Sequence, residues 1–116
     1  MKRRFRLTRS EDFKRVRRFG KSYTHPLVVL FVSPSERPST RVGVAAGRTV
    51  GGAVQRNRAK RLLRAAMQSL LPEILPRTDL LLIARAPLSA ASFQQTREAL
   101  FTLLRRAGLL LPPHDG

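Results

Sequence analysis

From Ala53 to Leu70 the apolar positions repeat at helical spacing. At about 100° per residue, Ala59, Leu62, Leu63, Ala66, Met67 and Leu70 share one stripe, while Asn57, Lys60, Arg61 and Arg64 gather on another. The pattern predicts a helix that ends before Pro72, one face for a core and one turned outward. Upstream, Leu7 to Phe19 reads as a first helix: Thr8-Arg9-Ser10-Glu11 fits a capping box, Phe13 and Val16 repeat at i and i+3, and Gly20 is a natural stop. Leu27 to Ser33 is rich in branched and aromatic residues and predicts a strand. Pro34 to Ser39 follows as a loop, and Arg41 to Ala46 as a second strand that makes a hairpin with the first. Gly20 to His25 adds a short edge strand. Asp79 to Arg85 reads as a buried strand ended by Pro87, and a last helix begins near Ser92. There Ser92-Phe93-Gln94-Gln95 offers a second capping box, and Phe93, Leu100, Leu103 and Leu104 supply an apolar face. Two prolines and a glycine predict that the tail from Gly108 to Gly116 frays. The order helix, strands, helix, strand, helix predicts an α+β fold, helices on a mixed sheet, as a single domain over residues 1–106 with a tail over 107–116.

Charge changes this picture. The chain of 116 residues carries 23 Lys and Arg against 7 Asp and Glu, a formal charge of +16, and its isoelectric point is near 12.0. Between Glu36 and Glu73 there is no acidic residue at all, and inside that gap runs Arg56-Asn57-Arg58-Ala59-Lys60-Arg61-Leu62-Leu63-Arg64. Such one-sidedness points to a polyanion as partner. An anionic membrane fits less well: apolar runs such as Leu80 to Ala84 fall far short of the roughly 18 residues that span a bilayer. The basic start, Met1 to Arg6, is not followed by the apolar stretch of a signal peptide, so a cytoplasmic location is expected.

The inventory of reactive groups is thin. Cysteine is absent, which removes disulfides, thiolate nucleophiles and cysteine metal sites. His25 and His114 lack a second histidine or a carboxylate at ligand spacing and read as ordinary surface residues. Cutting a phosphodiester with protein groups takes clustered carboxylates around metal ions or a positioned acid and base. Here the only adjacent acids, Glu11 and Asp12, splay apart on neighbouring helix positions. A self-contained nuclease is therefore disfavoured. Gly47 to Gly52 is open to two readings, a flexible strand-to-helix turn or a helix N-terminus whose free amides take a phosphate.

A basic cluster on a helix is usually just a solvated face. Here arginine predominates, interleaved acids are missing, and Asn57 sits among the cations, ready to reach a sugar or a base edge. Unneutralised charges one turn apart, Arg56 with Lys60 and Lys60 with Arg64, disfavour the free helix by a few tenths of a kcal/mol each, roughly. A polyanionic partner would relieve that repulsion.

Arg41-Val42-Gly43-Val44, followed by Gly51-Gly52-Ala53-Val54-Gln55 and the Arg56 to Arg64 run, resembles the signature of the bacterial ribonuclease P protein subunit. Leu7-Thr8-Arg9-Ser10-Glu11-Asp12-Phe13-Lys14-Arg15-Val16, with Gly20 after it, is similar to that family's first helix, and the resemblance extends to about Arg106. It implies a small α+β protein with a left-handed strand-helix-strand crossover, against the usual right-handed preference. It also implies an RNA-binding accessory subunit of an endonuclease that removes the 5′ leader from precursor tRNA. The partners implied are the ribonuclease P RNA, with one protein copy per RNA, and precursor tRNA. The protein itself would hold no cofactor, magnesium acting through the RNA. By position, Arg48, Arg56, Asn57, Arg58, Lys60, Arg61 and Arg64 would meet the catalytic RNA, while Phe13, Arg17, Val29 and Phe31 would line a cleft for the leader. Arg17 stands where some members have a second aromatic, which turns the expectation there from stacking toward a phosphate or cation–π contact. The other reading of Phe13 and Phe31 is plain core packing. The alternative function is that of a ribosomal or other structural RNA-binding protein with no part in cleavage.

Overall fold

Strand Thr78–Ala84 carries apolar side chains on both faces, and it takes the place where both faces are covered. The computed structural model, which describes residues 1–112, contains helix α1 (Ser10–Phe19), strands β1 (Lys21–Thr24), β2 (Val28–Pro34) and β3 (Arg41–Ala46), helix α2 (Ala53–Leu70), strand β4 (Thr78–Ala84) and helix α3 (Phe93–Arg106). The sheet order is β1-β2-β4-β3. The β1–β2 and β2–β4 pairs are antiparallel, and β3–β4 is parallel. The hairpin expected between β2 and β3 is not formed, because β4 lies between them. Leu80, Leu81 and Leu82 are all buried, and a strand apolar on both sides gains most from a central position. β3, with Gly43 and Ala45 on one face, has less to bury and takes the edge.

Alternation along the strands divides the core in two. On one side Val28, Leu30, Leu80, Leu82, Val42 and Val44 pack against α2 and α3. On the other, Leu81 meets Leu7 and Val16, with Phe13, Phe31 and Ile83 partly buried around them. The sheet is thus sandwiched between α2 with α3 and the single helix α1.

Three local expectations change. α1 begins at Ser10, and the Thr8 capping box is not made, since Arg9 is the N-cap and no side chain caps it. Leu7 stays extended instead, buried and with its N–H donating to the Val42 carbonyl at 2.9 Å. Burying Leu7 against the sheet competes with winding it into the helix, and wins. Phe93, placed on the apolar face of α3, is 43% exposed and lies outside the core, whereas Leu88 and Ala91 nearby are buried. The tail expected to fray instead folds back over Leu109 to Leu111: Leu109 is buried, Leu75 N–H donates to its carbonyl at 2.7 Å, and Leu111 N–H donates to Glu73 at 2.8 Å. His114 and Asp115 lie outside the described residues.

The Ser92 capping box is present in full. His25 proves to be a turn residue, its Nδ1 accepting from Leu27 N–H at 3.1 Å between β1 and β2. Burial, helped by the charge of Arg106, pushes its pKa below the ordinary histidine value.

Candidate nucleic-acid interface

The rotation of α2 is fixed by Ala59, Leu63, Ala66, Met67 and Leu70, all buried. Leu62, at the edge of the stripe, is half-buried. Everything opposite this stripe must face outward. Arg48, Asn57, Arg58 and Arg61 are exposed, and Arg56, Lys60 and Arg64 half-buried. The helix is entered through Gly51, whose φ of +138° favours glycine and whose added Cβ would stand 2.9 Å from Gln55 Cβ. Gly52 is the N-cap, offers no capping side chain, and is followed by no acid in the first turn.

Among the described residues, none of these cations pairs with a carboxylate; the ion pairs there belong to Arg15, Arg41 and Arg97. Arg58 differs from the rest. Its Nε donates to the Ser89 carbonyl at 2.9 Å, so part of its fork holds the turn before α3. For the others the positive field is unrelieved, and an anion bound only by the native form stabilises it by mass action. Sulfate or phosphate is therefore expected to raise the melting temperature more than chloride at equal ionic strength, as a thermal melt series would record.

Across the sheet, registers arrange the α1 face in rows. Ser22, Phe31, Leu81 and Gly43 form one, and Thr24, Val29, Ile83 and Ala45 the next. Phe13 reaches over the first row to β3, where a Cβ on Gly43 would come within 2.7 Å of its ring. The absent side chain at Gly43 is what makes room for the ring. Phe13 and Phe31 are each half-buried, packed against the Leu7–Val16–Leu81 cluster. Val29 and Ile83 in the second row are likewise only half-covered, and Arg17, one turn beyond Phe13, is exposed. The four cleft residues thus divide: Val29 and Phe31 share the sheet face, Phe13 bridges helix and sheet, and Arg17 stands on the helix.

What holds α1 over the sheet escaped the pattern of the chain. Asp79, at the start of β4 and only 1% exposed, accepts from Arg15 Nη2 at 2.7 Å, Arg41 Nε at 3.0 Å and Arg41 Nη2 at 2.9 Å. Asp12 joins the group through Arg15 at 3.4 Å and Arg41 at 3.7 Å. Burial pushes the Asp79 carboxyl up in pKa, but the hydrogen bonds and charges of Arg41 and Arg15 outweigh it and hold it below the usual carboxylate value. Both arginines are raised in return, chiefly by their bonds to Asp79. The one available signal was a carboxylate heading a run of leucines, which needs a cation once buried.

Comparison with known proteins agrees with this fold. The family model for ribonuclease P matches residues 1–108. The ribonuclease P protein component of Chloroflexus aurantiacus is 43% identical over 114 residues, 97% of this chain and 84% of that one. That of Bacillus velezensis is 38% identical over 110 residues, 94% of each chain. Among solved structures, the ribonuclease P protein of Staphylococcus aureus superposes with a TM-score of 0.82 at 27% identity, covering 92% of this chain and 98% of that one. That of Thermotoga maritima does so at 0.78 and 30%, covering 87% and 96%. With a three-helix, mixed-sheet fold and an unpaired basic helix in common with its sequence signature, the chain belongs to the ribonuclease P protein component family, subunits of the endoribonuclease that matures the 5′ end of tRNA.

Proposed function

We propose that α2 docks on the catalytic RNA of ribonuclease P and that the cleft between α1 and the sheet holds the 5′ leader of precursor tRNA. The observation that carries this reading is the face of α2: cations without carboxylate partners among the described residues, turned outward by a fully buried opposite stripe. Such a face binds phosphates with little regard for sequence. The α1 cleft has a different character, two half-buried rings and two half-covered aliphatic side chains, suited to unstacked bases. Precursor then binds better than mature tRNA, and release follows once the leader is cut. On this reading the hydrolytic magnesium belongs to the RNA and the protein holds no cofactor of its own. The protein works, on the same reading, as a monomer in a 1:1 complex with the RNA in the cytoplasm; no helix among the described residues is long and apolar enough to cross a membrane.

Reconstitution with a bacterial ribonuclease P RNA tests the reading, with affinity for precursor tRNA measured as the leader is shortened. A protein that raises affinity equally for mature and precursor tRNA, or that co-sediments with ribosomal subunits instead, would refute it. In the same assay Phe13→Ala is expected to cut the preference for leader-bearing substrate by about tenfold, within the range of one base-stacking ring, while assembly with the RNA is unchanged. A loss of assembly would place Phe13 in the fold alone.

A further inference from the structure

Arg6 and Thr8 flank Leu7 in an extended segment. Leu7 is buried, and both of its neighbours are exposed. The segment is pinned in place: the Leu7 N–H bonds to Val42, and Arg6 forms a parallel bridge with the same residue along the free edge of β3. From the other side α2 brings Arg64. Arg6, Thr8 and Arg64 line a recess of about 190 Å³ whose apolar wall is made by Leu7, Phe13, Val42 and Val44. No carboxylate lines it. Among the described residues neither guanidinium forms an ion pair, and no protein group hydrogen-bonds either guanidinium or the Thr8 hydroxyl.

Two arginines without ion-pair partners that line one small recess bring like charges together until an anion comes between them. Their planar forks, with a hydroxyl beside them, match the oxygens of a tetrahedral phosphate. We propose that this recess seats a single phosphodiester group of RNA, bound by Arg6 and Arg64 with Thr8 as hydroxyl donor. The proposal rests on the reading of α2 and the cleft as RNA surfaces and adds a discrete point where they meet. Arg64 belongs to the face of α2 and Phe13 to the cleft, so a phosphate held here has its base beside the Phe13 ring. It also ties the amino-terminal segment, through Arg6, to RNA binding. The phosphate comes from the leader or from the catalytic RNA, and the two sources share this chemistry.

The test is a linkage scan on the reconstituted complex. Neutral methylphosphonates are placed one at a time along the leader in one arm and along the protein-binding region of the catalytic RNA in the other, with wild type, Arg6→Gln, Arg64→Gln and the double variant. One linkage should weaken wild-type binding by about tenfold or more, as expected for a lost charge-assisted contact, and have no effect in Arg6→Gln or Arg64→Gln. The arm in which it appears identifies the source. Titration of the free proteins with inorganic phosphate, followed by amide shifts, should move the Arg6 to Thr8 signals in wild type and not in either variant, while native-like dispersion of the amide spectrum shows that both variants fold. Salt-dependent RNA binding with no linkage silenced by the variants would overturn the seat and leave the docking role of α2 standing. Loss of salt-dependent binding by the wild type would overturn both.

Discussion

Raising monovalent salt from about 50 to about 200 mM is expected to weaken the complex with ribonuclease P RNA by about a thousandfold or more, the loss that accompanies six or more neutralised phosphates. On the proposed docking of α2, the cations that would set this slope are Arg48, Arg56, Arg58, Lys60, Arg61 and Arg64. Each phosphate met releases a condensed counterion, so the logarithm of affinity falls linearly with the logarithm of salt. Arg61 is exposed and makes no hydrogen bond or ion pair to protein among the described residues. Arg61→Ala should therefore flatten the slope by about one unit and leave the melting temperature alone. Arg58 gives the contrasting case, since its Nε is engaged with Ser89. Arg58→Ala should lower the melting temperature as well as the affinity. Filter binding across a salt series reads both, and an unchanged slope for Arg61→Ala would remove it from the contact set.

Asp79→Ala should cost about 3 kcal/mol of folding stability, the range for removing one partner from a buried ion pair, and lower the melting temperature by on the order of 10 °C. Asp79 is almost fully buried while Arg15 is partly exposed, so the loss falls mainly on Arg41 and on the seat of α1 over the sheet. The pH dependence has a definite sign. The carboxyl is held below the usual carboxylate value in the folded state, so its contribution is fully present above the unfolded pKa and is lost as pH falls through the lower folded pKa. Melting curves between neutral pH and about pH 3 should steepen downward at the acid end for wild type and lie flatter for Asp79→Ala. Parallel curves would mean that the carboxylate is not the group that secures the helix.

Much of this could be read from the chain, and the boundary between what could and what could not has a physical cause. α2 was legible to the residue because its apolar stripe and basic face repeat with the helical period, a local property. The Ser92 box was legible for the same reason. The Thr8 box was not, because Leu7 gains more by lying against Val42 and Leu81 than by entering the helix, a tertiary preference invisible locally. Strand order failed similarly. Adjacent strands read naturally as a hairpin, and only the two-sided burial of Leu80 to Leu82 reveals that β4 separates them. At the site, charge pattern alone marked the helix from Arg56 to Arg64, whereas Phe13, Val29 and Phe31 became a cleft only through family resemblance. The Asp79 cluster joins residues 64 and 38 positions apart, beyond any periodicity.

The central place of β4 has a consequence during synthesis. The strands made earlier, β2 and β3, have no direct partner in each other, so the sheet cannot close until Ala84 has been added. The arginine-rich segment therefore leaves the ribosome before the platform that shapes it exists, and contacts this distant along the chain form late. A nascent chain halted before Thr78 would present a loose polycation to every nucleic acid nearby, and selectivity would arrive only with the last strand.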